Sequence, residues 1–456
     1  MAVESVVVSH SFDGAQLIER AAVAQHQVAR LTLDERLAIV AGCLADLENA
    51  GEMIVAEAVR ETGQTVGFAR RELDSALKLL AAMPRLADPL RPQMVPSVSG
   101  TTMLEWAPYG VVFGWHAANS PVWVPTVVAM SALVGGNSVL CRPSRRAAAT
   151  TRLVLETLMK RWPTHALQIV TATPEEAEVL MAGPGVHAVV AHGSTATCRR
   201  HMARLAEAYG RGETMRPYIP EASGNDPAIV LAGADLDLAA SAIAAGAFTN
   251  AGQLCMAAKR IIVQSQVWVD FAPRLRAAVE ALVVGDPARA ETDVAPMGER
   301  SGVGRARTAL AEAIALGGEV VAGHGEQGPF FTPTVVLLPR AAVGTILWRE
   351  ESFAPLRGLM LAADAQDALE LANADVHGLG ASVFGDGEAI IDRLRAARVI
   401  VNEHPLYQDP HFVVGGVGDS GLFGARPKVE QLVFARRVHR AGGGGARQAP
   451  EGAASG

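Results

Sequence analysis

Three polar side chains of this 456-residue sequence could together attack a carbonyl group and hydrolyse the product. Cys255 follows the small and polar residues 250–253, which are suited to presenting a thiol at a loop. A thiolate is a strong nucleophile when local donors lower its pKa. The attack also needs a donor for the oxyanion, and release of a thioester by water needs a base. The amide of Asn119 and the carboxylate of Glu221 are the candidates for these two tasks.

Each of the three residues also has a purely structural explanation. A lone cysteine is usually a buried and inert thiol, a lone glutamate usually lies on a solvated face, and an Asn-Ser-Pro triplet is usually a turn. The remaining cysteines are far apart in the sequence, which predicts reduced thiols without a disulfide framework. No metal site is predicted. These cysteines are Cys43, Cys141 and Cys198.

A second candidate site is the turn that contains Gly193 and Ser194. This turn follows a predicted strand that ends at Ala191, and it opens a helical pattern that runs through Leu205. The N–H groups and the dipole at such a helix start can bind a pyrophosphate. The alternative is a simple helix cap by the Ser194 side chain.

The pattern of apolar residues predicts the elements that must position these side chains. Up to about residue 86 the spacing is helical. Short apolar runs at 138–141, 167–170 and 188–191 then alternate with helical stretches, and a second such series extends from 227 to about 412. Alternating strands and helices predict an α/β fold with parallel sheets. Two series predict a cofactor domain followed by a catalytic domain.

The composition limits the classes of partner. Half of the residues are hydrophobic, 19% are charged and the net charge is −7, so there is no basic surface that predicts nucleic-acid binding. The first 13 residues do not resemble a signal peptide, and the apolar stretches are too short or too interrupted to span a bilayer. We therefore predict a cytoplasmic protein with a small-molecule substrate and no membrane or nucleic-acid partner.

Several motifs, in the same order, resemble the aldehyde dehydrogenase superfamily. Glu221 opens a Glu-x-x-Gly-x-x-Pro segment that leads to a Gly-Gln-x-Cys ending at Cys255. The separation of these two residues is also that of the family. Further on, Glu351 and Phe353 belong to a Glu-x-Phe-x-Pro. The resemblance covers roughly residues 15 to 440.

The resemblance implies a role for each candidate. Cys255 attacks the aldehyde, and the Asn119 side chain and the Cys255 N–H hold the oxyanion. Hydride leaves to a nicotinamide cofactor, and Glu221 activates the water that hydrolyses the thioester. Glu351 holds the nicotinamide ribose, and Phe353 belongs to the same cofactor site.

The resemblance also implies an adenosine site in the stretch that begins at Arg142. Arg142, Ser144 and Arg145 match the family's Lys-Pro-Ser-Glu, so Arg145 replaces an acidic residue that accepts hydrogen bonds from the ribose hydroxyls in many members. An arginine can pair with a 2′-phosphate instead. We therefore expect NADP to be preferred over NAD. The alternative is that Arg145 and Arg146 face solvent.

The family's aldehyde tunnel corresponds to Trp123, Leu254 and Met256. These large apolar residues favour a hydrophobic or aromatic aldehyde over a small dicarboxylic semialdehyde, which would need a fixed cation. Two other functions stay open. One is an NADPH-dependent acyl-thioester reductase or a CoA-acylating aldehyde dehydrogenase, against which Glu221 argues. The other is a catalytically silent member with a structural role.

The expected organisation is two Rossmann-like parallel-sheet domains and a small β element for oligomerisation. The predicted ranges are 1–93 and 109–221 for the dinucleotide-binding domain, 222–413 for the catalytic domain, 94–108 and 414–440 for bridging strands, and 441–456 for a disordered tail. The family pairs its subunits through such strands, so we expect a homodimer or a homotetramer. Uncovered strand edges also favour association.

Overall fold

The structure is a computed structural model that describes residues 12–295, 297, 300–323, 326–327, 330–407, 409 and 415–440. The tail predicted to be disordered lies outside these residues. Among the helices of the described part, none is long and apolar enough to cross a membrane.

The first four helices confirm the helical pattern predicted up to about residue 86. The second of them begins with a reciprocal cap, in which Thr32 and Glu35 each bind the backbone N–H of the other. Its buried stripe of Val40, Cys43 and Leu47 packs into the core of the first sheet. Across the described residues the helices are α1 Gly14–Arg30, α2 Leu33–Asn49, α3 Gly51–Thr62, α4 Val66–Leu86, α5 Trp123–Val134, α6 Ala148–Met159, α7 Pro174–Ala182, α8 Thr195–Gly210, α9 Leu236–Phe248, α10 Ser265–Glu280, α11 Arg300–Ala315, α12 Ile346–Arg349, α13 Ala365–Asn373, α14 Glu388–Ile391 and α15 Lys428–Gln431.

From residue 111 onward most strands and helices alternate, as the apolar runs predict. In the described residues they are β1 Gln93–Val95, β2 Thr101–Pro108, β3 Val111–Trp115, β4 Ser138–Arg142, β5 Leu167–Ile169, β6 Ala188–His192, β7 Tyr218–Glu221, β8 Asp226–Val230, β9 Ala258–Gln264, β10 Glu319–Ala322, β11 Glu326–Gln327, β12 Phe330–Phe331, β13 Thr334–Leu337, β14 Leu356–Ala362, β15 His377–Gly378, β16 Ala381–Phe384, β17 Val399–Val401, β18 Val417–Gly418 and β19 Val433–Arg440.

The first large sheet has the order β5-β4-β3-β6-β7, and all its pairs are parallel. The carboxyl ends of its strands therefore share one edge. Helix α5 packs on this sheet and is apolar on nearly all sides because it is covered by the N-terminal helices as well. In an open parallel sheet, ligands bind outside the carboxyl ends of the strands.

The second large sheet has the order β10-β13-β14-β9-β8-β16-β17. Its strands are parallel except β10, which pairs with β13 in the antiparallel sense at the edge. Strands β8 and β9 are buried and mostly apolar, as expected of a sheet covered on both faces. The predicted α/β fold with two parallel-sheet units is confirmed.

The predicted small β element is also present. Strands β1, β2 and β19 form an antiparallel sheet, in which β2 pairs with β19 along its whole length. Two short pairs, β11 with β12 and β15 with β18, complete the strand pairing in the described residues. The domain boundaries and the oligomeric role of the small sheet stay predictions.

Candidate active site

A cavity of about 1760 Å³ lies against the carboxyl edge of the first sheet. Cys255, Glu221 and Asn119, which are distant in the sequence, all line it. The predicted cofactor and substrate residues on its wall are Arg142, Ser144, Gly193, Ser194, Glu351, Phe353, Trp123, Leu254 and Met256. Arg145 does not line this cavity. It is exposed, and its neighbour Arg146 lies on the wall instead.

The backbone before Cys255 has an unusual conformation. Asn250 and Ala251 both have φ of 53°, in the left-handed region, and Gly252 follows with φ of 72°. This region costs a non-glycine residue roughly 1–2 kcal/mol, so other contacts must hold the loop. One of them is the Asn250 side chain, which donates to the Asn119 carbonyl at 3.2 Å.

Lys259 holds the Cys255 loop by hydrogen bonds to its backbone. Its Nζ donates to the carbonyl oxygens of Leu254 at 2.7 Å, Cys255 at 2.5 Å and Ala257 at 3.3 Å. The same Nζ lies 3.3 Å from Oε1 of Glu351. The lysine therefore connects the nucleophile loop to the carboxylate that the resemblance assigns to the cofactor ribose.

The glycine of the Glu-x-x-Gly motif has a steric role. A Cβ atom at Gly224 would overlap the carbonyl oxygen of Cys255. Only glycine therefore allows the chain that leaves Glu221 to pass so close to the nucleophile loop. In this structure the two motifs are therefore in direct contact.

Cys255 is half-buried, whereas the other three cysteines are fully buried. All four thiols are free, as predicted. Burial raises the pKa of Cys255 to about 12, although Lys259 opposes this shift. The thiol is therefore protonated at neutral pH in this structure, and its attack on an aldehyde requires a proton acceptor.

Asn119 lies in the loop between β3 and α5. Its Nδ2 donates to the carbonyl oxygen of Gln253 at 3.0 Å. An amide nitrogen carries two hydrogens, so one is left for an oxyanion. The contact with Gln253 also keeps the amide close to the nucleophile loop.

Glu72 of α4 holds the Asn119 loop, although no sequence motif marks this residue. Its Oε1 accepts from the Ser120 hydroxyl at 2.6 Å and from the N–H groups of Val122 and Trp123, each at 2.9 Å. Burial raises the pKa of this carboxyl, and the donated hydrogen bonds counter the shift. Glu72 thus caps the start of α5 and fixes the residue next to Asn119.

Glu221 ends β7, and its carboxylate makes a close ion pair with Lys428. Its second oxygen, Oε2, is buried and has no hydrogen-bond partner among the described residues. Burial raises the pKa of Glu221 above its usual value, and the nearby Lys428 offsets part of this shift. Lys428 was not identified from the sequence, because no local pattern marks a lysine after Arg-Pro as a partner of a distant carboxylate.

Two histidines lie on the cavity wall at the carboxyl edge. Neither ring nitrogen of His116 nor Nδ1 of His192 has a partner in the described part of the chain. Burial lowers the pKa of His116 to about 3 and that of His192 well below its usual value. Both rings are therefore neutral at physiological pH.

The wall at the start of α8 fits a dinucleotide. Gly193 and Ser194 present the N-terminus of this 16-residue helix to the cavity, and Ser194 also caps the helix through the N–H of Thr197. At the end of β4, the Arg142 guanidinium stacks on the Trp115 ring at 4.2 Å, and its buried Nε has no partner among the described residues. An anionic group next to α8 would meet a helix dipole and a cation.

Part of the cavity wall next to Cys255 is apolar. Phe68, Leu254 and Met256 form a buried cluster against which Cys255 packs. Arg71 lines the same cavity. Burial lowers the pKa of Arg71, and the nearby Asp293 raises it.

A comparison with known protein families decides the assignment of the whole chain. The sequence model of the aldehyde dehydrogenase family matches residues 4–434.

The chain belongs to the aldehyde dehydrogenase family.

Individual members of the family agree with this over most of the chain. The vanillin dehydrogenase of Pseudomonas fluorescens is 30% identical over 85% of this chain and 81% of that protein. The NADP-dependent succinate-semialdehyde dehydrogenase of Deinococcus radiodurans is 30% identical over 89% of this chain and 85% of that protein. These matches confirm the prediction of an NAD(P)-dependent enzyme that oxidises aldehydes.

A solved structure of the family has the same fold. The NADP-dependent glyceraldehyde-3-phosphate dehydrogenase of Bacillus halodurans, in complex with NADP, superposes with a TM-score of 0.86. It is 26% identical, and the match covers 94% of this chain and 91% of that one.

Proposed function

We propose that this aldehyde dehydrogenase oxidises a hydrophobic or aromatic aldehyde to the carboxylic acid by covalent catalysis at Cys255, with NADP as the preferred cofactor. One observation carries the proposal. A single cavity brings together a thiol, the carboxylate of Glu221 and a second amide hydrogen of Asn119 that has no acceptor among the described residues, next to the N-terminus of α8. These groups are the nucleophile, the oxyanion donor and the base that thioester formation and hydrolysis need.

In the first half of the reaction, Cys255 Sγ bonds to the aldehyde carbon and the thiol proton leaves to water. Asn119 Nδ2 and the Cys255 N–H donate to the oxyanion. When bound, the nicotinamide supplies the acceptor for the hydride of the former aldehyde carbon. Loss of that hydride leaves a thioester on Cys255.

In the second half, Glu221 Oε2 takes a proton from water while the water oxygen bonds to the thioester carbon. The carbon–sulfur bond then breaks, the acid leaves and Cys255 is regenerated. A CoA-acylating or a reductive thioester activity is the alternative, and it would not need Glu221. Incubation with aldehyde and NADP, with and without coenzyme A, distinguishes them: a free acid in both incubations supports the proposal, and an acyl-CoA product refutes it.

The preference for NADP rests on charge. The segment 142–146 contains Arg142, Arg145 and Arg146 and no carboxylate, so it favours a 2′-phosphate over a free ribose hydroxyl. Arg146 lies on the cavity wall, which makes it a better candidate for this contact than Arg145. The relatives named above as NADP-dependent agree with this choice. Equal affinity for NADP and NAD in a fluorescence titration would refute it.

A second candidate substrate is an aldehyde with an acidic group. Arg71 on the cavity wall is the kind of cation that such a substrate needs, and one relative is a succinate-semialdehyde dehydrogenase. The apolar cluster of Phe68, Leu254 and Met256 favours the hydrophobic or aromatic class. A panel of aromatic, aliphatic and semialdehyde substrates, ranked by kcat/KM, decides between them.

The assembly and location are part of the same proposal. We expect a homodimer or a homotetramer that covers the edge of the small sheet at β1 or β19, and a cytoplasmic location. Light scattering after size-exclusion chromatography tests the first expectation, and a monomer would contradict it. Cell fractionation tests the second.

A further inference from the structure

Lys428 is a buried cation that points into the active site. It begins the one-turn helix α15, and its side chain is only 6% exposed. The carboxylate with which it pairs, that of Glu221, is 10% exposed. Removing such a charged pair from water has a desolvation cost.

The ion pair involves only one of the two carboxylate oxygens. Lys428 Nζ contacts Oε1 of Glu221, whereas Oε2 is buried and unpartnered in the described residues. The ammonium is itself oriented, because it also donates to Oε1 of Gln431 at 3.4 Å. Gln431 in turn donates to the Arg426 carbonyl at 2.9 Å. The contacts thus fix one carboxylate oxygen and leave the other for water.

We propose that Lys428 is a positioning residue for hydrolysis of the thioester: it favours the ionised form of Glu221 and holds Oε2 available to the attacking water. The proposal rests on the proposed function of Glu221 as the base. Lys428 transfers no proton in this scheme. The water proton goes to Oε2, and the hydroxide adds to the thioester carbon.

The surroundings of Glu221 explain why a cation is needed. Burial alone would favour the protonated carboxyl, which cannot act as a base. The other titratable groups that face this position are the thiols of Cys198 and Cys255 and the neutral ring of His192. None of them carries a positive charge at neutral pH. In the described part of the chain, Lys428 is therefore the cation that pairs with this carboxylate.

The test compares the pre-steady-state burst of NADPH with the steady-state rate in Lys428→Met, which keeps the length of the side chain and removes its charge. The burst reports thioester formation, and the steady state reports hydrolysis when hydrolysis is slow. We expect an unchanged burst rate and a steady-state rate lower by at least about tenfold, because a positioned base contributes roughly 10²–10⁴-fold. The burst amplitude counts folded sites, so rates per site are unaffected by partial unfolding.

The pH profile is the measurement that a merely structural role would not change. Removing a cation next to a carboxylate raises the pKa of that carboxyl, by roughly 1–3 units for a close pair. The acid limb of the steady-state rate should move to higher pH by this amount in Lys428→Met. Lys428→Arg keeps the charge and should keep the acid limb of the original protein.

Two controls complete the design. Lys160→Met makes the same substitution at an exposed lysine after α6 and should behave like the original protein. In a Glu221→Gln background, Lys428→Met should have no further effect on hydrolysis, since its action passes through Glu221. A further loss in that background, or an unchanged rate and acid limb in the single variant, overturns the proposal. If Glu221→Gln itself leaves the steady-state rate unchanged, the proposed base is wrong, which is a separate result.

Discussion

Removal of the Glu72 carboxylate tests whether the hydrogen bonds that hold the Asn119 loop affect the rate. Glu72→Ala leaves the N–H groups of Val122 and Trp123 and the Ser120 hydroxyl without their acceptor. An unsatisfied buried donor costs about 1–3 kcal/mol. Loss of the buried charge offsets part of this cost, so we expect a decrease of about 2–4 kcal/mol in the free energy of unfolding.

The same change should slow thioester formation. Asn119 directly precedes Ser120, so release of this loop displaces the proposed oxyanion donor. Loss of one such donor costs roughly 10²–10³ in rate, and a displaced donor should cost up to this amount. Urea unfolding measures the stability, and a stopped-flow NADPH burst measures the rate. Glu48→Ala, on the exposed side of α2, is the control and should stay within about 0.5 kcal/mol of the original protein. A Glu72→Ala variant that matches this control in both assays would show that the Glu72 hydrogen bonds do not hold Asn119 in place.

Three further predictions concern the thiol, the cofactor and the substrate. Alkylation of Cys255 by iodoacetamide should accelerate about tenfold per pH unit, with no plateau near neutral pH. The reason is that the thiolate forms only as the pH approaches the pKa of Cys255, about 12. A plateau of the alkylation rate near pH 7 would contradict this. Arg146→Glu should weaken NADP binding by at least about tenfold and leave NAD binding nearly unaffected, whereas Arg145→Glu should weaken NADP binding less. Fluorescence titration measures the affinity of each variant for both cofactors. Equal losses of NADP affinity in the two variants would contradict a contact between Arg146 and the 2′-phosphate. Arg71→Leu should lower kcat/KM for semialdehydes with a carboxylate by more than that for benzaldehyde, since only the former lose a charged partner; parallel losses would exclude Arg71 from substrate binding.

Local patterns in the sequence predicted the fold well. The runs that became β4, β5 and β6 are short, apolar and separated by helical stretches, and each formed a strand close to its predicted position. The turn at Gly193 and Ser194 also begins a helix as expected. These features depend on residues that are close in the sequence, so spacing and residue type were sufficient to predict them.

The supporting contacts of the site could not be predicted in this way. Glu72 and Lys428 reach their partners from distant parts of the chain, and each sits in a segment with no motif of its own. Lys259 is close to Cys255 in sequence, but its contacts depend on the left-handed turn at Asn250 and Ala251. The placement of Arg146 rather than Arg145 on the wall follows from a short 3-10 turn at 145–147, whose orientation the spacing did not determine.

Covalent catalysis requires that Cys255 carries the acyl group and that Glu221 releases it. Mass spectrometry of the Glu221→Gln variant, quenched with acid during turnover of benzaldehyde and NADP, detects this intermediate. We expect an adduct on the peptide that contains Cys255, with the mass of the aldehyde less the two hydrogens removed by oxidation. An unmodified Cys255 during turnover, or an adduct on one of the other cysteines, would contradict it.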